Sequence, residues 1–525
     1  MTDPDQTDPD RTDPTPEESP GQISPDVARE HGFDQPYTYE VTDSAQGLAG
    51  RFSELEPGVE TDQVVSIAGR LMLRRVQGKL AFGTLADSSG RIQLFAPFAT
   101  TPDFEQFCEL NLGDWIGVRG VVMTTRRGEL SVRVDSWALL APTRRSFPDK
   151  WHGMTDPDTR YRQRYVDLWV TDQARLAFQQ RSRIMSLTRR FMEDRDYLEV
   201  ETPVLHPIPG GALARPFSTH HNALDQKMYL RIAPELYLKR LVVGGFERVF
   251  EMARVFRNEG TSNRHNPEFT MLEAYEAYGD YHVHMALTEQ LVAHLAEELH
   301  GSTTVTFGGR DVDLSVPWRR ATMAELTSSE VGEDVSIHTP IERLRELCDI
   351  HGVPRKDSYG TGKLLLELYE KTTEHTLWDP TFVIDYPTEV SPLSREHRSE
   401  PGLVERFEAI VVGRELCNGF SELTDPTEQR NRFLDQAEQK AAGDDEAMAV
   451  DHDYLRSLDY GLPPTVGLGI GMDRLAQLLT DTHTIRDIVL FPTLRPEQDL
   501  SELPAVPNDD GTAATDPELS SGADG

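Results

Sequence analysis

The segment from residue 249 to residue 278 constrains the fold of this chain most strongly. Apolar runs lead into and out of it, and the polar stretch between them holds Arg257, Arg264 and His265. Two apolar runs around a polar stretch predict a strand, a charged loop and a second strand. Arginine forks fit phosphate oxygens in pairs, and Phe269 offers a ring on which a base can stack. The segment therefore predicts either a charged hairpin loop or a grip for a nucleoside triphosphate.

Two further segments favour the triphosphate grip. Glycine alternates with other residues over 467–471, and the apolar spacing that follows predicts a helix with Arg474 in its first turns. The helix dipole and the charge of the arginine both favour a bound anion there. Upstream, residues 191–203 predict a helix that passes into an extended segment ending at Pro203. Each segment alone is a weak signal, whereas the three in this order form a specific combination.

The three segments resemble motifs 1, 2 and 3 of the class II aminoacyl-tRNA synthetases, and within that family the chain resembles the lysyl-tRNA synthetases. Further matching residues lie at 209–212, 215–217, 219–222, 229–240 and 413–423. The resemblance implies a ligase that converts L-lysine and ATP into lysyl-adenylate and then transfers the lysyl group to the 3′ end of lysine tRNA. It also implies Mg²⁺ as a cofactor and, through Pro203, a homodimer.

The predicted fold class is α+β, with an OB-fold β-barrel followed by a class II catalytic domain. Short apolar strands separated by turn signals predict the barrel within residues 61–145. The predicted strands are 64–73, 79–86, 91–96, 114–124 and 130–140. Residues 61–150 hold 12 Arg and Lys against 9 Asp and Glu, in a chain whose net charge is −35. Because nucleic acid is a polyanion, this region is the candidate for contact with tRNA.

The catalytic domain is predicted over residues 175–496, on an antiparallel β-sheet flanked by helices. The sequence there shows neither a repeating strand–helix unit nor a P-loop, which argues against a doubly wound fold. A helical insertion is expected near 320–380 and a hinge over 146–174. Residues 1–60 form an acidic extension and lead-in, where repeated Thr-Asp-Pro triplets predict disorder. The acidic tail, 497–525, is predicted to be disordered as well.

Composition favours a cytoplasmic protein. No apolar run of eighteen residues appears, so no membrane span is expected, and the N-terminus lacks the pattern of a secretory signal. Three widely spaced cysteines predict neither a disulfide framework nor a zinc site, which fits a reducing compartment. High acidity with only 8 lysines suits a surface adapted to a salty cytoplasm, and biased codon usage explains it equally well.

The resemblance also assigns residues to ATP. The expected ATP-binding side chains are Arg257, Glu259, His265, Asn266, Phe269 and Arg474. Arg257 is expected to bridge the α-phosphate and the lysine carboxylate, and Arg257 and Arg474 are the expected catalytic pair. Glu259 is expected to hold the adenine amino group and Phe269 to stack on the ring. His265 and Arg474 are expected at the γ-phosphate. The attacking carboxylate is already an anion, so catalysis should come from positioning and charge neutralisation.

Five residues are assigned to lysine in the same way. Glu422 and Tyr275 are expected to receive the ε-ammonium, and Glu235 with the backbone of Gly211 the α-amino group. Asn418 is expected to contact the carboxylate. From the residues alone, Glu235 can equally be a helix-start acid behind a proline, and Glu422 a solvated strand-end charge.

Two carboxylates, Glu408 and Glu415, are the expected Mg²⁺ ligands by the same resemblance. Mg²⁺ commonly takes one or two carboxylates together with phosphate oxygens and water. The two are seven positions apart in an extended segment, so they can act as a pair only across a kink or a bulge.

The barrel is expected to contact the tRNA anticodon through Arg75, Phe82, Gln93 and Glu129, again by resemblance. A tight turn at 87–90 would place Phe82 opposite Phe95 and Thr84 opposite Gln93, all on one face. An aromatic ring beside an amide can stack on and recognise a base. The alternative is that both phenylalanines belong to the barrel core.

Three other functions remain possible at this point. An aspartyl- or asparaginyl-tRNA synthetase shares the barrel and the core, but residues 416–423 offer an acid and no base for its substrate. A relative that transfers lysine to a protein would lack the barrel. A non-catalytic RNA-binding regulator would have lost ATP-contacting residues, which are all present here.

Overall fold

The computed structural model describes residues 36–145, 154–441 and 448–495. The chain divides into two compact units, Met1–Thr155 and Asp156–Gly525. Most of the predicted N-terminal extension, the start of the predicted hinge and the predicted tail lie outside the described residues. None of the helices in the described ranges is long and apolar enough to cross a membrane.

The first unit contains a closed barrel of five strands in the order β1-β2-β3-β5-β4. The strands are β1 Glu60–Gln77, β2 Leu80–Ala86, β3 Arg91–Pro97, β4 Trp115–Thr124 and β5 Leu130–Ala141, and helix α2 Phe104–Glu109 lies in the long connection. The Asp87 carboxylate accepts hydrogen bonds from the backbone of Ser89 and Gly90, at 2.7 and 2.9 Å, and closes the β2–β3 turn. This turn sets the predicted register, with Phe82 opposite Phe95.

The acidic lead-in is more ordered than the sequence predicts, because residues Ala45–Arg51 form helix α1. The Ser44 side chain caps its first turn, and Ala45 and Leu48 are buried in the hydrophobic core of the barrel. Two apolar residues spaced three apart are enough to hold a short helix against a barrel, although the surrounding acidic composition hides them.

The second unit is built on an eight-stranded sheet with the order β14-β15-β16-β17-β18-β11-β10-β6. Its strands are β6 Leu198–Glu199, β10 Arg248–Phe256, β11 Glu268–Ala277, β14 Arg319–Thr322, β15 Thr381–Pro387, β16 Leu403–Val411, β17 Arg414–Ser421 and β18 Thr465–Gly471. The strands pair antiparallel except β14 with β15 and β6 with β10, at the two edges. The predicted α+β class on a mainly antiparallel sheet is confirmed.

Five shorter strands and twelve helices complete the described part of this unit. A three-stranded sheet holds β7 Leu205–His206, β8 Ser218–His221 and β9 Gln226–Leu230, and a hairpin holds β12 Thr304–Phe307 and β13 Arg310–Asp313. The helices are α3 Pro157–Arg162, α4 Arg164–Val170, α5 Asp172–Glu193, α6 Glu235–Val243, α7 Tyr281–His300, α8 Met323–Val331, α9 Ile341–Ile350, α10 Thr361–Thr372, α11 Pro426–Ala441, α12 His452–Leu458, α13 Met472–Leu479 and α14 Ile485–Ile488. Helices α8, α9 and α10 fall in the segment where an insertion was predicted.

The second unit begins at Asp156, within the segment predicted as a hinge. Helices α3 and α4 occupy most of the described part of the predicted hinge, and the fully buried Arg164 pairs with Asp167 at 2.6 Å. Arg164 also donates to the backbone oxygens of Arg486 and Leu490, at 2.6 and 3.1 Å. Because a buried arginine must keep its partners, this part of the segment is anchored to the catalytic unit.

One face of the large sheet is buried under helices, and the middle of the other face, called the polar face below, carries polar side chains. Apolar side chains such as Phe250, Leu272 and Ile470 point to the buried face, where they pack with residues of α5, α7 and α13 in one hydrophobic core. Successive residues of a strand point to opposite faces, so their neighbours in sequence line the other side. The predicted site residues of the strands lie among those neighbours.

Candidate active site

Strand β18 forms the middle of the polar face, and every second residue of its C-terminal part is glycine. Gly467 lies opposite Tyr275 of β11, and Gly469 lies opposite Glu273 of β11 and Asn418 of β17. Because these glycines have no side chains on this face, a trough runs along β18 between the side chains of its neighbours β17 and β11. The sequence places polar side chains from both neighbours along that trough.

Gly467 is required by the close approach of two site residues. A Cβ atom built there would lie 2.6 Å from Cε1 of Tyr275 and would overlap the carboxylate of Glu422. Any larger residue would therefore displace the two side chains predicted to receive the ε-ammonium of lysine.

The end of the trough that is predicted to take the triphosphate holds Arg257, just beyond β10. Its guanidinium lies 5.2 Å from the centre of the Phe269 ring, and its Nε has no hydrogen-bond partner among the described residues. Burial lowers the pKa of Arg257, and Glu415 opposes that shift most strongly. A partly buried cation with an unused donor is suited to an anionic ligand.

Arg474 lies in the first turn of α13, as predicted, and is held against β17. Its Nη1 donates to the backbone oxygen and to Oε2 of Glu415, at 2.8 and 3.0 Å. Burial alone would raise the pKa of Glu415, but Arg474 and then Arg257 hold it below its ordinary value. The three charges of Arg257, Arg474 and Glu415 thus form one electrostatic group.

A β-bulge brings Glu408 and Glu415 to the same face of the sheet. Ala409 pairs with Cys417 and Ile410 pairs with Glu415, so Leu416 is an extra residue in β17. Without the bulge, Glu415 would point to the buried face. The bulge that the spacing of these acids required is therefore present.

Glu408 has a cationic neighbour that the sequence analysis missed. Its Oε1 lies 2.5 Å from Nη2 of Arg406, and Arg406 Nε donates to Oδ1 of Asn418 at 2.8 Å. Burial raises the pKa of Glu408 to about 7, although Arg406 opposes the shift. Arg406 and Glu408 are two apart in β16 and so share a face, which is the sequence signal that could have revealed Arg406.

The loop between β10 and β11 holds two exposed site candidates and one that is buried. Glu259 and His265 are exposed, and Nδ1 of His265 lies 3.0 Å from Oγ of Ser262. Partial burial and then Arg474 lower the pKa of His265. Asn266 is buried: its amide donates to the backbone oxygen of Glu268 at 2.6 Å and accepts from the backbone of Thr493 at 3.1 Å. Asn266 therefore anchors the loop to the segment around Thr493, and its contact with ATP remains a prediction.

The opposite end of the trough is a closed acidic pocket. Glu235 begins helix α6. Gly211 lies against it with φ +87°, and a Cβ atom at Gly211 would stand 3.1 Å from Cβ of Glu235. Glu422 follows β17 and is buried. Lys239 of α6 is buried between them, with Nζ 2.6 Å from Oε1 of Glu235 and in contact with Oε2 of Glu422. Neither acid is a solvated surface charge.

Glu273 is a third acid of this pocket and was also missed. It is buried, and it accepts a hydrogen bond from the hydroxyl of Tyr275 at 3.1 Å. Burial raises the pKa of Glu273 well above its ordinary value, and Glu235 adds to the effect. Glu273 has the same strand parity as Phe269 and Tyr275, so alternation along β11 was the signal that could have found it.

The predicted anticodon residues share the outer face of the barrel in the first unit. Phe82 and Phe95 are half-buried outside the core, with ring centres 5.6 Å apart, and the Arg75 guanidinium lies 5.4 Å from the Phe82 ring. Gln93 donates to Oγ of Ser131 at 2.9 Å, and the exposed Glu129 precedes β5 by one residue. The core alternative for the two phenylalanines is wrong, since the inward positions belong to residues such as Leu94.

Comparisons with known proteins match both units. A family described as tRNA synthetases class II (D, K and N) matches residues 156–495, and an OB-fold nucleic acid binding domain matches residues 65–140. The chain is 53% identical over 468 residues to a lysine–tRNA ligase of Synechococcus sp. (strain CC9311), covering 88% of this chain and 96% of that protein. It is 50% identical over 481 residues to a lysine–tRNA ligase of Burkholderia pseudomallei (strain 1710b), covering 89% of this chain and 94% of that protein.

Proposed function

This chain belongs to the lysine–tRNA ligases of the class II tRNA synthetases, and we propose how its residues divide the work of that ligase. In the first step, a carboxylate oxygen of L-lysine attacks the α-phosphorus of ATP, and the bond to the bridging oxygen of pyrophosphate breaks. In the second step, a hydroxyl of the terminal ribose of lysine tRNA attacks the lysyl carbonyl and AMP leaves.

The acidic pocket is the observation that carries the choice of lysine. Three carboxylates are buried there, those of Glu235, Glu273 and Glu422, and the ammonium of Lys239 pairs with the first and the last of them. This excess of acidic groups over ammonium groups suits a substrate that brings two ammonium groups of its own. Oε1 of Glu422 has no hydrogen-bond partner in the described part of the chain, which supports its role as acceptor for the ε-ammonium. Buried carboxylates without a cation are costly, so an uncharged analogue should be rejected.

At the end of the trough assigned to ATP, arginine side chains hold the phosphates and the lysine carboxylate. Arg257 is positioned to hold both the α-phosphate and the lysine carboxylate, since its planar fork can bridge two anions. Arg474 and His265 take the γ-phosphate, Phe269 stacks on adenine, and Glu259 holds the adenine amino group. Asn418, oriented by Arg406, contacts the lysine carboxylate. These residues lower the barrier by orientation and by neutralising charge that grows on the phosphates.

Glu408 and Glu415 fit the proposed Mg²⁺ site. They supply hard carboxylate oxygens on one face of the sheet, near the arginines assigned to phosphate. The described residues contain no cluster of three or more His, Cys, Asp or Glu side chains suited to a metal. That absence is compatible with Mg²⁺, which takes few protein ligands and completes its shell with phosphate oxygens and water. Bound Mg²⁺ would neutralise phosphate charge at this end of the trough.

The alternative substrates fit this pocket poorly. Aspartate or asparagine needs a free cation or a donor, and the cation that the described residues place there, Lys239, is already paired with Glu235 and Glu422. The barrel argues for a tRNA substrate over a protein substrate. On its outer face Phe82 and Gln93, with Arg75 and Glu129, are assigned to the anticodon.

The proposal includes a homodimer and a cytoplasmic location. Exposed apolar side chains cluster along motif 1 and the three-stranded sheet, a pattern typical of an interface: Leu198, Val204, Leu205 and Leu224. All three cysteines are free thiols, which suits a reducing compartment. Sedimentation of the protein and of a Leu198→Glu, Leu205→Glu double variant tests the dimer; a monomeric parent would refute it.

One assay tests the central assignment. ATP–pyrophosphate exchange is measured with each amino acid in turn, with Mg²⁺ and with excess chelator. We expect exchange with lysine alone, abolished by chelation. Exchange with aspartate or asparagine and none with lysine would overturn the substrate, and full exchange in chelator would overturn the metal.

A further inference from the structure

The lysine pocket contains a lysine of the chain itself. We propose that Lys239 determines the amino-acid specificity of this ligase, because its ammonium fixes one oxygen of Glu422 and sets the pocket charge to match a diamino acid. The inference rests on the proposed lysine pocket and adds a residue that the assignment of substrate contacts did not include.

Lys239 is held rigidly in the wall of the pocket. Its side chain is 0% exposed, and Nζ contacts a carboxylate oxygen of Glu235 and another of Glu422. The rings of Phe420 and Tyr454 lie 5.5 and 5.8 Å from Nζ. Burial alone would lower the pKa of Lys239, but Glu235 and Glu422 raise it well above its ordinary value. Lys239 is therefore a permanent cation at working pH.

The contact divides the two oxygens of Glu422. Oε2 forms the ion pair with Lys239, whereas Oε1 is not part of that pair and lies over Gly467, where a Cβ atom would overlap it. The lysine of the wall thus directs the second oxygen toward the trough, beside Tyr275. A substrate ammonium can pair there without a rearrangement of the carboxylate.

The same cation opposes protonation of two of the pocket acids. Burial raises the pKa of Glu235, Glu273 and Glu422, Glu235 adds to the shift of the other two, and Lys239 opposes the shift for Glu235 and Glu422. Without it, three buried carboxylates would share one small volume, and protonation would remove the charge that attracts an ammonium. A pocket with fewer charges would then discriminate less between lysine and norleucine, its analogue with a terminal methyl group.

The test compares Lys239→Met with the parent in ATP–pyrophosphate exchange. We expect the KM for lysine to rise about tenfold or more, the KM for ATP to change less than about twofold, and the preference for lysine over norleucine to fall. A matched control is Arg164→Met, which removes another fully buried ion-paired cation of the same unit and should lower the melting temperature without changing this preference.

A second variant distinguishes the effect of the Lys239 charge from the effect of its packing, and it replaces Lys239→Met if that variant does not fold. Lys239→Ala leaves a space that n-propylammonium fills, whereas 1-propanol has a similar shape and no charge. Restored lysine affinity with the ammonium and not with the alcohol supports the inference. Equal rescue by both, or an unchanged KM for lysine in Lys239→Met, overturns it while the parent's lysine-dependent exchange still supports the proposed function. A parent that does not exchange with lysine would refute both.

Discussion

The carboxylate of Asp473 accepts a hydrogen bond from the backbone N–H of Thr270 at 2.8 Å, and this contact fastens the start of α13 to strand β11. Arg181 of α5 donates to the same carboxylate at 2.7 and 3.1 Å and to the Thr270 hydroxyl at 3.1 Å. Asp473 precedes Arg474, and Thr270 follows Phe269. One carboxylate therefore sets the distance between the ring assigned to adenine and the cation assigned to the γ-phosphate.

Asp473→Asn should weaken ATP more than lysine. The amide keeps the size of the carboxylate but loses its charge, so that Arg181 and the start of α13 are held less firmly. We expect kcat/KM for ATP to fall about tenfold, or about 1.4 kcal/mol, with a smaller change for lysine. The control is Asp167→Asn, which damages another buried Arg–Asp pair; equal kinetic effects in both variants would mean that Asp473 only stabilises the fold.

Arg257→Lys should be severely impaired in adenylate formation. An ammonium is a point charge and cannot bridge the α-phosphate and the lysine carboxylate as a planar fork does. We expect a loss of at least about tenfold in the exchange rate. Arg310→Lys, which alters an arginine stacked on Trp378 in the same unit, is the control. A near-normal rate in Arg257→Lys would show that this loop does not hold the α-phosphate.

Glu422→Gln should raise the KM for lysine far more than that for ATP. The substitution keeps the shape of the side chain and removes the charge that pairs with the ε-ammonium. Steady-state exchange at varied lysine and varied ATP measures the two constants, with the surface substitution Glu333→Gln as control. Parallel increases in both constants would argue that Glu422 is structural.

His284 should make the catalytic unit acid-labile. It is buried in α7, its Nε2 lies 3.1 Å from the Tyr197 hydroxyl, and burial lowers its pKa from 6.5 to about 4. A depressed folded-state pKa contributes stability that is present above pH 6.5 and is lost as the pH falls toward 4. The loss is about 2 kcal/mol of unfolding free energy between pH 6.5 and 5.

Melting temperatures of the parent and of His284→Gln at pH 8 and pH 5 measure this contribution. The parent should lose more stability than the variant on acidification, because the variant has no imidazole to protonate. An identical pH dependence in both proteins would show that other groups account for acid unfolding.

Gln93→Ala should reduce charging of lysine tRNA and leave ATP–pyrophosphate exchange unchanged. Gln93 lies on the outer face of the barrel, so its loss should cost little folding energy. Phe82→Ala should have the larger effect, since stacking on a base is worth about 1–3 kcal/mol. Melting curves accompany both assays. A folded Gln93→Ala that charges tRNA as well as the parent would contradict the anticodon assignment for that residue.

The sequence predicted the strands and their faces well because apolar alternation is a local property. The register of Phe82 with Phe95 followed from one turn, and the positions of Arg257 and Arg474 followed from spacing beside a loop and a helix start. Helix α1 was missed because only Ala45 and Leu48 carry its packing in an acidic stretch.

The pocket could be predicted only in part. Glu235 and Glu422 came from resemblance, but they are 187 positions apart in the chain, and nothing local reveals that Lys239 joins them. The positions of Glu273 and Arg406 are predictable in principle from the alternation of side chains along β11 and β16. Lys239 lies one helical turn after Glu235, a spacing that is common in solvent-exposed ion pairs and therefore gives no sign of a buried one.

The bulge at Leu416 works as a change of parity within one strand. Before it, the odd-numbered Glu415 points to the polar face; after it, the even-numbered Asn418 and Phe420 do. Strand β17 therefore contributes odd-numbered side chains to the end of the trough assigned to phosphate and even-numbered side chains to the end assigned to lysine. In a regular strand of the same residues, Glu415 and Asn418 would point to opposite faces of the sheet, so one of them would leave the polar face in either register. The catalytic unit should therefore depend at this position on the bulged backbone conformation, which sets the face that each end of the strand presents.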